Sequence, residues 1–267
     1  MTARGWFAIV VAIPIVIGCA KFKSPPALPH RKSMVLDQLV IHSDAPLPEH
    51  HRLLEELQIQ RSRLSTKLGL GVSDEPIHVY LFPTADELAV YMGVHFPELP
   101  QRRAFFVESD TRLTVYAYWG DRVAEDLRHE VAHGYLHAVV SRRPLGLDQG
   151  LAEFFEVPRG LSGVNRPHVE QLVAELEHGW WPDLRRLETL DDAGALRQVD
   201  YAESWAWVHF LLETSTERRE ALQAYLQALT STSPIGPLSA SVLAVETTPT
   251  VEQQLIDHLR MLQQSSQ

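Results

Sequence analysis

The chain has 267 residues and 45% hydrophobic content, which is enough for one large domain or two small ones with a substantial core. The formal net charge is −10 and the sequence contains no basic stripe, so composition excludes nucleic acid as an expected partner. Cys19 is the single cysteine, which excludes an intramolecular disulfide and a cysteine-based metal site.

The N-terminus has the pattern of an export signal over residues 1–18. Arg4 supplies a positive charge, and the apolar run Trp6–Ile17 is too short for an ordinary membrane-spanning helix. The run ends in Val-Ile-Gly-Cys, which resembles the lipobox of bacterial lipoproteins. That resemblance implies cleavage before Cys19, lipidation of Cys19 and a membrane-tethered protein of the cell envelope that faces the periplasm or the exterior. The alternative is an uncleaved anchor helix with an incidental cysteine.

Residues 19–33 are predicted to form a flexible tether, because they are rich in proline and basic residues and have no apolar periodicity. Residues 34–267 are predicted to form one domain, with a sheet-containing part over 34–120 and a helical part over 121–267. Apolar and β-branched runs predict strands at Val35–His42, Pro76–Pro83, Arg103–Glu108 and Leu113–Trp119.

Helical spacing of leucines predicts an amphipathic helix over Glu49–Leu68 that ends at Gly69, and Thr84 opens a short helix with a capping box. Gly146 and Gly150 are predicted to bracket a tight connection. Further helices are predicted from Asp121 to about Ser141, and over Leu151–Val157, Pro167–Glu177, Ala202–Thr214, Glu217–Leu229 and Thr250–Leu262, with a linker over Ser231–Ser241. The fold class is therefore α+β, with a small mixed or antiparallel N-terminal sheet, a central helix and a mostly helical C-terminal half.

The central helix carries the pattern His-Glu-x-x-His at His129, Glu130 and His133. Two histidines four residues apart project from one face of a helix, so both imidazoles can bind one Zn²⁺. The glutamate after the first histidine can reach a metal-bound water and act as its general base. His137 continues the series on the same face, either as a packed histidine, which we favour, or as an extra polar group near the cleft.

A second segment, Gly-Leu-Asp-Gln-Gly-Leu-Ala-Glu-Phe-Phe-Glu, follows over 146–156. Here the chain resembles the gluzincin, or peptidase MA-like, metallopeptidases, in which the first motif is followed by a helix reading roughly Trp-Leu-x-Glu-Gly-x-Ala-x-Tyr. The resemblance extends over about Asp121 to Glu213. It implies a zincin-like catalytic domain, a zinc cofactor and a peptide or protein substrate.

The chain departs from that family at the third zinc ligand, where Gln149 replaces the glutamate before the glycine. Glutamine offers zinc a carbonyl oxygen without charge, and Glu153 lies one helical turn further along. Three outcomes stay open: zinc bound by the two motif histidines and Gln149 with weakened affinity, zinc bound by the two histidines and Glu153, or a degenerate site with little or no activity. In the family pattern the position of Glu153 more often orients a ligating histidine.

Tyr201 begins a later segment, Tyr-Ala-Glu-Ser-Trp-Ala-Trp, that resembles the gluzincin aminopeptidase helix whose tyrosine donates to the oxyanion. By that resemblance Tyr201 stabilises the tetrahedral intermediate; otherwise it is a core tyrosine at a helix N-terminus. The predicted function is a membrane-tethered zinc peptidase with Glu130 as general base. The alternatives are a catalytically inactive zincin-fold binding or scaffold lipoprotein, and a hydrolase of another amide such as one in the cell wall.

Overall fold

The computed structural model describes residues 27–47, 51–231, 234–243 and 248–265. It has the mixed α+β architecture that the sequence predicts, whereas the predicted signal segment and Cys19 lie outside the described residues. The strands are β1 Lys32–Leu36, β2 Leu39–Ser43, β3 Ile77–Phe82, β4 Ala104–Ser109 and β5 Arg112–Tyr118. The helices are α1 Arg52–Leu68, α2 Ala85–His95, α3 Val123–His137, α4 Leu145–Glu156, α5 Arg166–Glu177, α6 Leu184–Glu188, α7 Gln198–Glu213, α8 Thr216–Leu229, α9 Leu238–Val242 and α10 Val251–Gln264.

The five described strands form one mixed sheet in the order β1-β2-β3-β5-β4. The pairs β2–β3 and β3–β5 are parallel, whereas β1–β2 and β4–β5 are antiparallel hairpins. The predicted single strand over Val35–His42 is wrong, because the chain turns at Asp37 with φ 52° and returns as β2. Aspartate is among the few residues that adopt this left-handed conformation readily. Strand β1 also begins at Lys32, inside the predicted tether.

Helices cover both faces of the sheet and build two apolar clusters. Helices α1 and α3 pack on one face in the main core, and α2 covers the other face with Leu88, Tyr91 and Met92. The buried Gln60 of α1 donates from Nε2 to the carbonyl oxygens of Arg128 in α3 at 2.7 Å and of Phe155 in α4 at 3.2 Å. These two bonds join α1 to α3, which carries the motif, and to α4.

Helix α4 differs from the prediction, because it begins at Leu145 and contains both Gly146 and Gly150. The glycines are helical positions rather than a connection. A Cβ on Gly150 would lie 2.3 Å from the backbone oxygen of Ser204 in α7. The absence of a side chain therefore lets α4 and α7 pack with their backbones in contact, which periodicity alone does not reveal.

The remaining C-terminal helices agree with the predicted ones to within a few residues at most. The short α6 was not predicted, and α9 lies inside the segment that was predicted as a linker. Within the described residues, every helix is too short or too polar to cross a membrane.

We expect Gly150→Ala to lower the free energy of unfolding by about 1–3 kcal/mol, because its Cβ overlaps fixed backbone and the two helices must separate. Gly93→Ala in α2 is the matched control, since its Cβ would meet nothing within 4 Å, and it should raise stability by up to about 1 kcal/mol. Urea denaturation measures both. Equal stability of the two variants would contradict the close approach of α4 and α7.

A buried histidine pair lies between α7 and α10. Nδ1 of His209 is 2.9 Å from Nε2 of His258, and the two side chains are 2% and 9% exposed. Burial, reinforced by the charge of His258, lowers the pKa of His209 to about 3. Burial, with the charge of Arg218, lowers the pKa of His258 to about 4. Both rings are therefore neutral in the native protein near pH 7.

This pair predicts a loss of stability in mild acid. The unfolded chain binds a proton at each histidine near pH 6.5, so between about pH 4 and 6.5 it binds more protons than the native chain. The stabilisation is complete above this window and falls as the pH drops through it. His258→Gln should reduce the slope of unfolding free energy against pH by up to about 1.4 kcal/mol per unit. The exposed His178→Gln is the control, and an identical slope in both variants would rule out this origin.

Candidate metal centre

The motif histidines face one another on α3. Nε2 of His129 lies 3.2 Å from Nε2 of His133. Two nitrogen ligands about 2.0–2.1 Å from one tetrahedral ion are separated by about 3.3–3.4 Å. The two Nε2 atoms therefore already have the spacing of two ligands of a single ion.

The outer nitrogen of each ring faces a carboxylate from α4. Nδ1 of His129 lies 3.0 Å from Oε2 of Glu156 and forms a hydrogen bond with it. Nδ1 of His133 lies 3.0 Å from Oδ2 of Asp148, although the direction of an N–H on this ring misses that oxygen, so the contact is close but poorly aligned. A bare nitrogen at this distance from a carboxylate would be repelled, so these contacts favour the tautomer with the proton on Nδ1 in each ring. Both Nε2 atoms then point at the same place.

The electrostatic field at this place favours a cation. Burial by itself lowers the pKa of His129, but the hydrogen bond with Glu156 and the surrounding charges, Glu153 first among them, outweigh burial and raise the pKa to about 10. In the metal-free protein a proton on Nε2 of His129 therefore bridges to His133. A metal ion would occupy the same position as that proton.

Glu153 lies with His129 and Glu156, whereas His133 belongs to a separate group with His137 and Asp148. One atom each from His129, Glu153 and Glu156 lie within 4.8 Å of one another, and this group could hold a metal ion. Burial raises the pKa of Glu153, but the hydrogen bond from His168 at 2.8 Å and the charge of His129 outweigh burial and lower the pKa. Glu153 is therefore ionised although it is only 8% exposed. Asn165 donates to Oε1 of Glu156 at 2.8 Å and so helps to hold this carboxylate pair.

Gln149 lies one turn before Glu153 on the same face of α4. Its side chain is 8% exposed, and its Oε1 has no hydrogen-bond partner among the described residues. An unpaired buried carbonyl oxygen costs free energy, which a bound cation would recover. Oxygen and imidazole nitrogen donors together are a suitable ligand set for a divalent metal ion.

Glu130 projects from α3 beside the first motif histidine. Its carboxylate is half-buried and makes no hydrogen bond within the described part of the chain. Its charge contributes to the raised pKa of His129. The group therefore lies close to the first motif histidine.

Tyr201 lies in the first turn of α7. Its hydroxyl oxygen accepts a hydrogen bond of 3.0 Å from Nη2 of Arg102, which precedes β4. Because the oxygen accepts, the hydroxyl hydrogen remains available for donation. The Tyr201 hydroxyl thus forms its hydrogen bond with Arg102 rather than with the motif histidines.

His137 is bound on both sides, unlike the simple packed histidine that the sequence favoured. Its Nδ1 lies 2.7 Å from Oε2 of Glu108, and its Nε2 lies 3.1 Å from Oδ2 of Asp148. His133, His137 and Asp148 form a second group whose ligand atoms lie within 4.8 Å of one another. The guanidinium of Arg143 contacts Asp148 with an Nε–Oδ1 distance of 3.2 Å, so a cation already neutralises this carboxylate.

The sequence offered Glu153 as one of two possible third ligands beside the motif histidines, but it did not assign the partners of their rings. Glu156 had a detectable signal, because Gln149, Glu153 and Glu156 follow the i, i+4, i+7 spacing of one helical face. Polar residues at these positions in an otherwise apolar helix indicate a polar cluster. His168 has no such signal, because it reaches the site from α5 across a loop.

Comparison of the sequence with protein-family models and with curated proteins finds no match in either.

The third ligand can be identified by cobalt(II) binding in competition with a chelator. We expect Glu153→Gln to weaken binding by about 10–100-fold, because it removes a buried, ionised carboxylate whose charge acts on His129. Gln149→Met should cost less, and the exposed Glu170→Gln should have no effect. A larger loss in Gln149→Met than in Glu153→Gln would instead assign Gln149 as the third ligand.

Proposed function

We propose that this protein is a zinc-dependent hydrolase that cleaves peptide bonds. The observation that carries the proposal is the pair of Nε2 atoms 3.2 Å apart with both outer nitrogens against carboxylates. Carboxylates that hold the outer N–H of metal-binding histidines fix the tautomer that presents the lone pair to the metal. A helix with scattered surface histidines has no reason to show this arrangement.

The donors fit a zinc ion. In this proposal His129 and His133 supply imidazole nitrogens, and Glu153, which lies close to His129, would turn its charged oxygen to the ion as the third protein ligand. When bound, zinc supplies the Lewis acidity that makes a water molecule nucleophilic and polarises a carbonyl group. The buried, unpaired Oε1 of Gln149, one helical turn before Glu153, is a further oxygen that this proposal can use.

Glu130 serves as the general base in this proposal. Its carboxylate takes a proton from the attacking water and passes it to the nitrogen of the leaving amine, so it returns to its starting state after each cleavage. Its half-buried position and its lack of a hydrogen bond within the described residues support this role. Tyr201 is proposed to donate its free hydroxyl hydrogen to the oxyanion.

The substrate is proposed to lie along β4. Strand β4 pairs with β5 and is one of the two edges of the described sheet. The ring of Phe106 in β4 stacks on His133 with centroids 5.9 Å apart, so this edge strand runs beside the candidate centre. An extended peptide that adds to a sheet edge is held through its backbone, independently of most of its side chains.

Membership of the gluzincin family and a lipid anchor on Cys19 are part of the same proposal. They rest on the sequence patterns, namely the two motif helices, the tyrosine-led helix and the lipobox. Anchoring would place the hydrolase at a membrane of the cell envelope.

A second candidate is a binding or scaffold protein that keeps this fold and its metal site without turnover. Gln149 favours it, because a neutral residue stands where the family has a charged ligand. This candidate predicts metal binding without hydrolysis, so it differs from the peptidase in one measurable property.

We expect the zinc-loaded protein to hydrolyse members of a mixed peptide library, and Glu130→Gln to lower the rate by about 10²–10⁴-fold because the general base is lost. Zinc content should be unchanged, since Glu130 is not proposed as a ligand. Mass spectrometry of the library and elemental analysis measure the two quantities, with the exposed Glu177→Gln as control. Zinc binding with no hydrolysis by the wild type would favour the scaffold candidate, and no zinc uptake would reject both.

A further inference from the structure

His137 joins two elements that flank the candidate centre. Its ring lies between Glu108 on the edge strand β4 and Asp148 on α4, at nitrogen–oxygen distances of 2.7 and 3.1 Å. The His137 side chain is 12% exposed and that of Asp148 is 11% exposed, so the contact between them is shielded from water, whereas Glu108 is 45% exposed. Shielding strengthens such polar contacts and makes an unpaired partner costly.

Asp148 also contacts the candidate ligand His133, through a close approach that is not aligned as a hydrogen bond. The same oxygen, Oδ2, lies 3.1 Å from Nε2 of His137 and 3.0 Å from Nδ1 of His133. Its other oxygen lies 3.2 Å from Nε of Arg143. His137 and Arg143 thus hold the Asp148 carboxylate from two sides, which keeps its Oδ2 beside Nδ1 of His133.

A second metal site is a weaker explanation of the same residues. The guanidinium of Arg143 contacts Asp148, and its Nη2 lies 3.7 Å from Oε2 of Glu108. A metal ion between His137 and Asp148 would be repelled by this fixed positive charge. Because the Arg143 guanidinium already supplies a positive charge here, Asp148 and Glu108 act as acceptors that orient the histidine rings.

Strand β4 contacts the candidate ligand by a second route. Phe106 stacks on His133, and its ring also meets His137 edge-on with centroids 4.5 Å apart. Phe106 and Glu108 are two residues apart in β4, so their side chains point to the same side of the strand. One side of the edge strand therefore touches both histidines.

We propose that His137 and Glu108 are positioning residues. Through Asp148 they hold the His133 ring with Nε2 toward the metal site, and they connect that ring to edge strand β4. The link to catalysis rests on the proposed function, whereas the orientation of the ring does not. No bond is made or broken by these residues.

Nitrogen-15 NMR of the imidazoles tests the orientation in the full, metal-free chain. In the wild type we expect His133 to carry its proton on Nδ1. Glu108→Gln and His137→Leu should mix the two tautomers of His133, whereas His137→Gln keeps a donor for Asp148 and should restore most of the wild-type signal. Asp110→Asn, which removes an exposed charge two residues from Glu108, is the matched control and should change nothing.

Cobalt(II) binding to the same variants tests the consequence for the metal. We expect a loss of affinity of about 10–100-fold in His137→Leu, a smaller loss in Glu108→Gln, and a changed visible absorption spectrum in both. Partial rescue by His137→Gln separates positioning from bulk destabilisation, which the glutamine would not repair. Circular dichroism melts verify that each variant is folded.

The outcomes separate this inference from the proposed function. Ring signals and cobalt affinities equal to those of Asp110→Asn would overturn the positioning role while the hydrolase proposal stands. Changed ring signals with unchanged affinity would also overturn it, because the network would then not serve the metal. If the wild type binds no cobalt, the proposed function fails and the NMR signals alone decide whether the network holds His133.

Discussion

Two imidazole nitrogens that face each other at 3.2 Å impose the constraint on which the candidate site depends. Two lone pairs at this distance repel unless a proton or a cation lies between them. The protein maintains the arrangement by placing a carboxylate outside each ring, and both carboxylates belong to one helix, α4. The site is therefore a property of how α3 and α4 pack, rather than of the motif helix alone.

The packing of α4 depends in turn on Gly150. Its backbone approaches Ser204 so closely that a Cβ would lie 2.3 Å from the backbone oxygen, and this fixes α4 against the buried helix α7. Gln60 of α1 also holds α4 beside α3, because its amide donates hydrogen bonds to carbonyl oxygens of both helices. Residues remote from the chemistry thus set the distance between the histidines and their carboxylates. Asp148 and Glu156, at opposite ends of α4, can then contact different rings.

The sequence predicted most of the fold where a single periodicity decides the outcome. The leucines of α1, the hairpin β4–β5 and the helical C-terminal half follow such local patterns and are confirmed. The turn at Asp37 and the helical Gly146 and Gly150 were missed, because their conformations are decided by strand pairing and by contact with α7. The motif predicted which residues could face a metal, whereas the partners of His129, His133 and His137 come from α4 and β4. Spacing indicates the polar face of α4, but it carries no information on which carboxylate contacts which histidine.

Charge compensation explains why so polar a cluster can be buried. Asp148 is neutralised by Arg143, but Glu153 and Glu156 share a small volume with one histidine. Burial of two carboxylates beside a single positive charge is expensive, since desolvation of ions exceeds what incomplete pairing returns. A divalent cation between His129 and His133 would replace one proton with two positive charges, and would leave the cluster nearly neutral. The neutral Gln149 fits this balance: a third carboxylate would restore the excess of negative charge, whereas an amide oxygen adds a donor and no charge. Gln149, which first suggested a degenerate site, therefore also fits a site whose charged oxygen comes from Glu153, one helical turn further along α4.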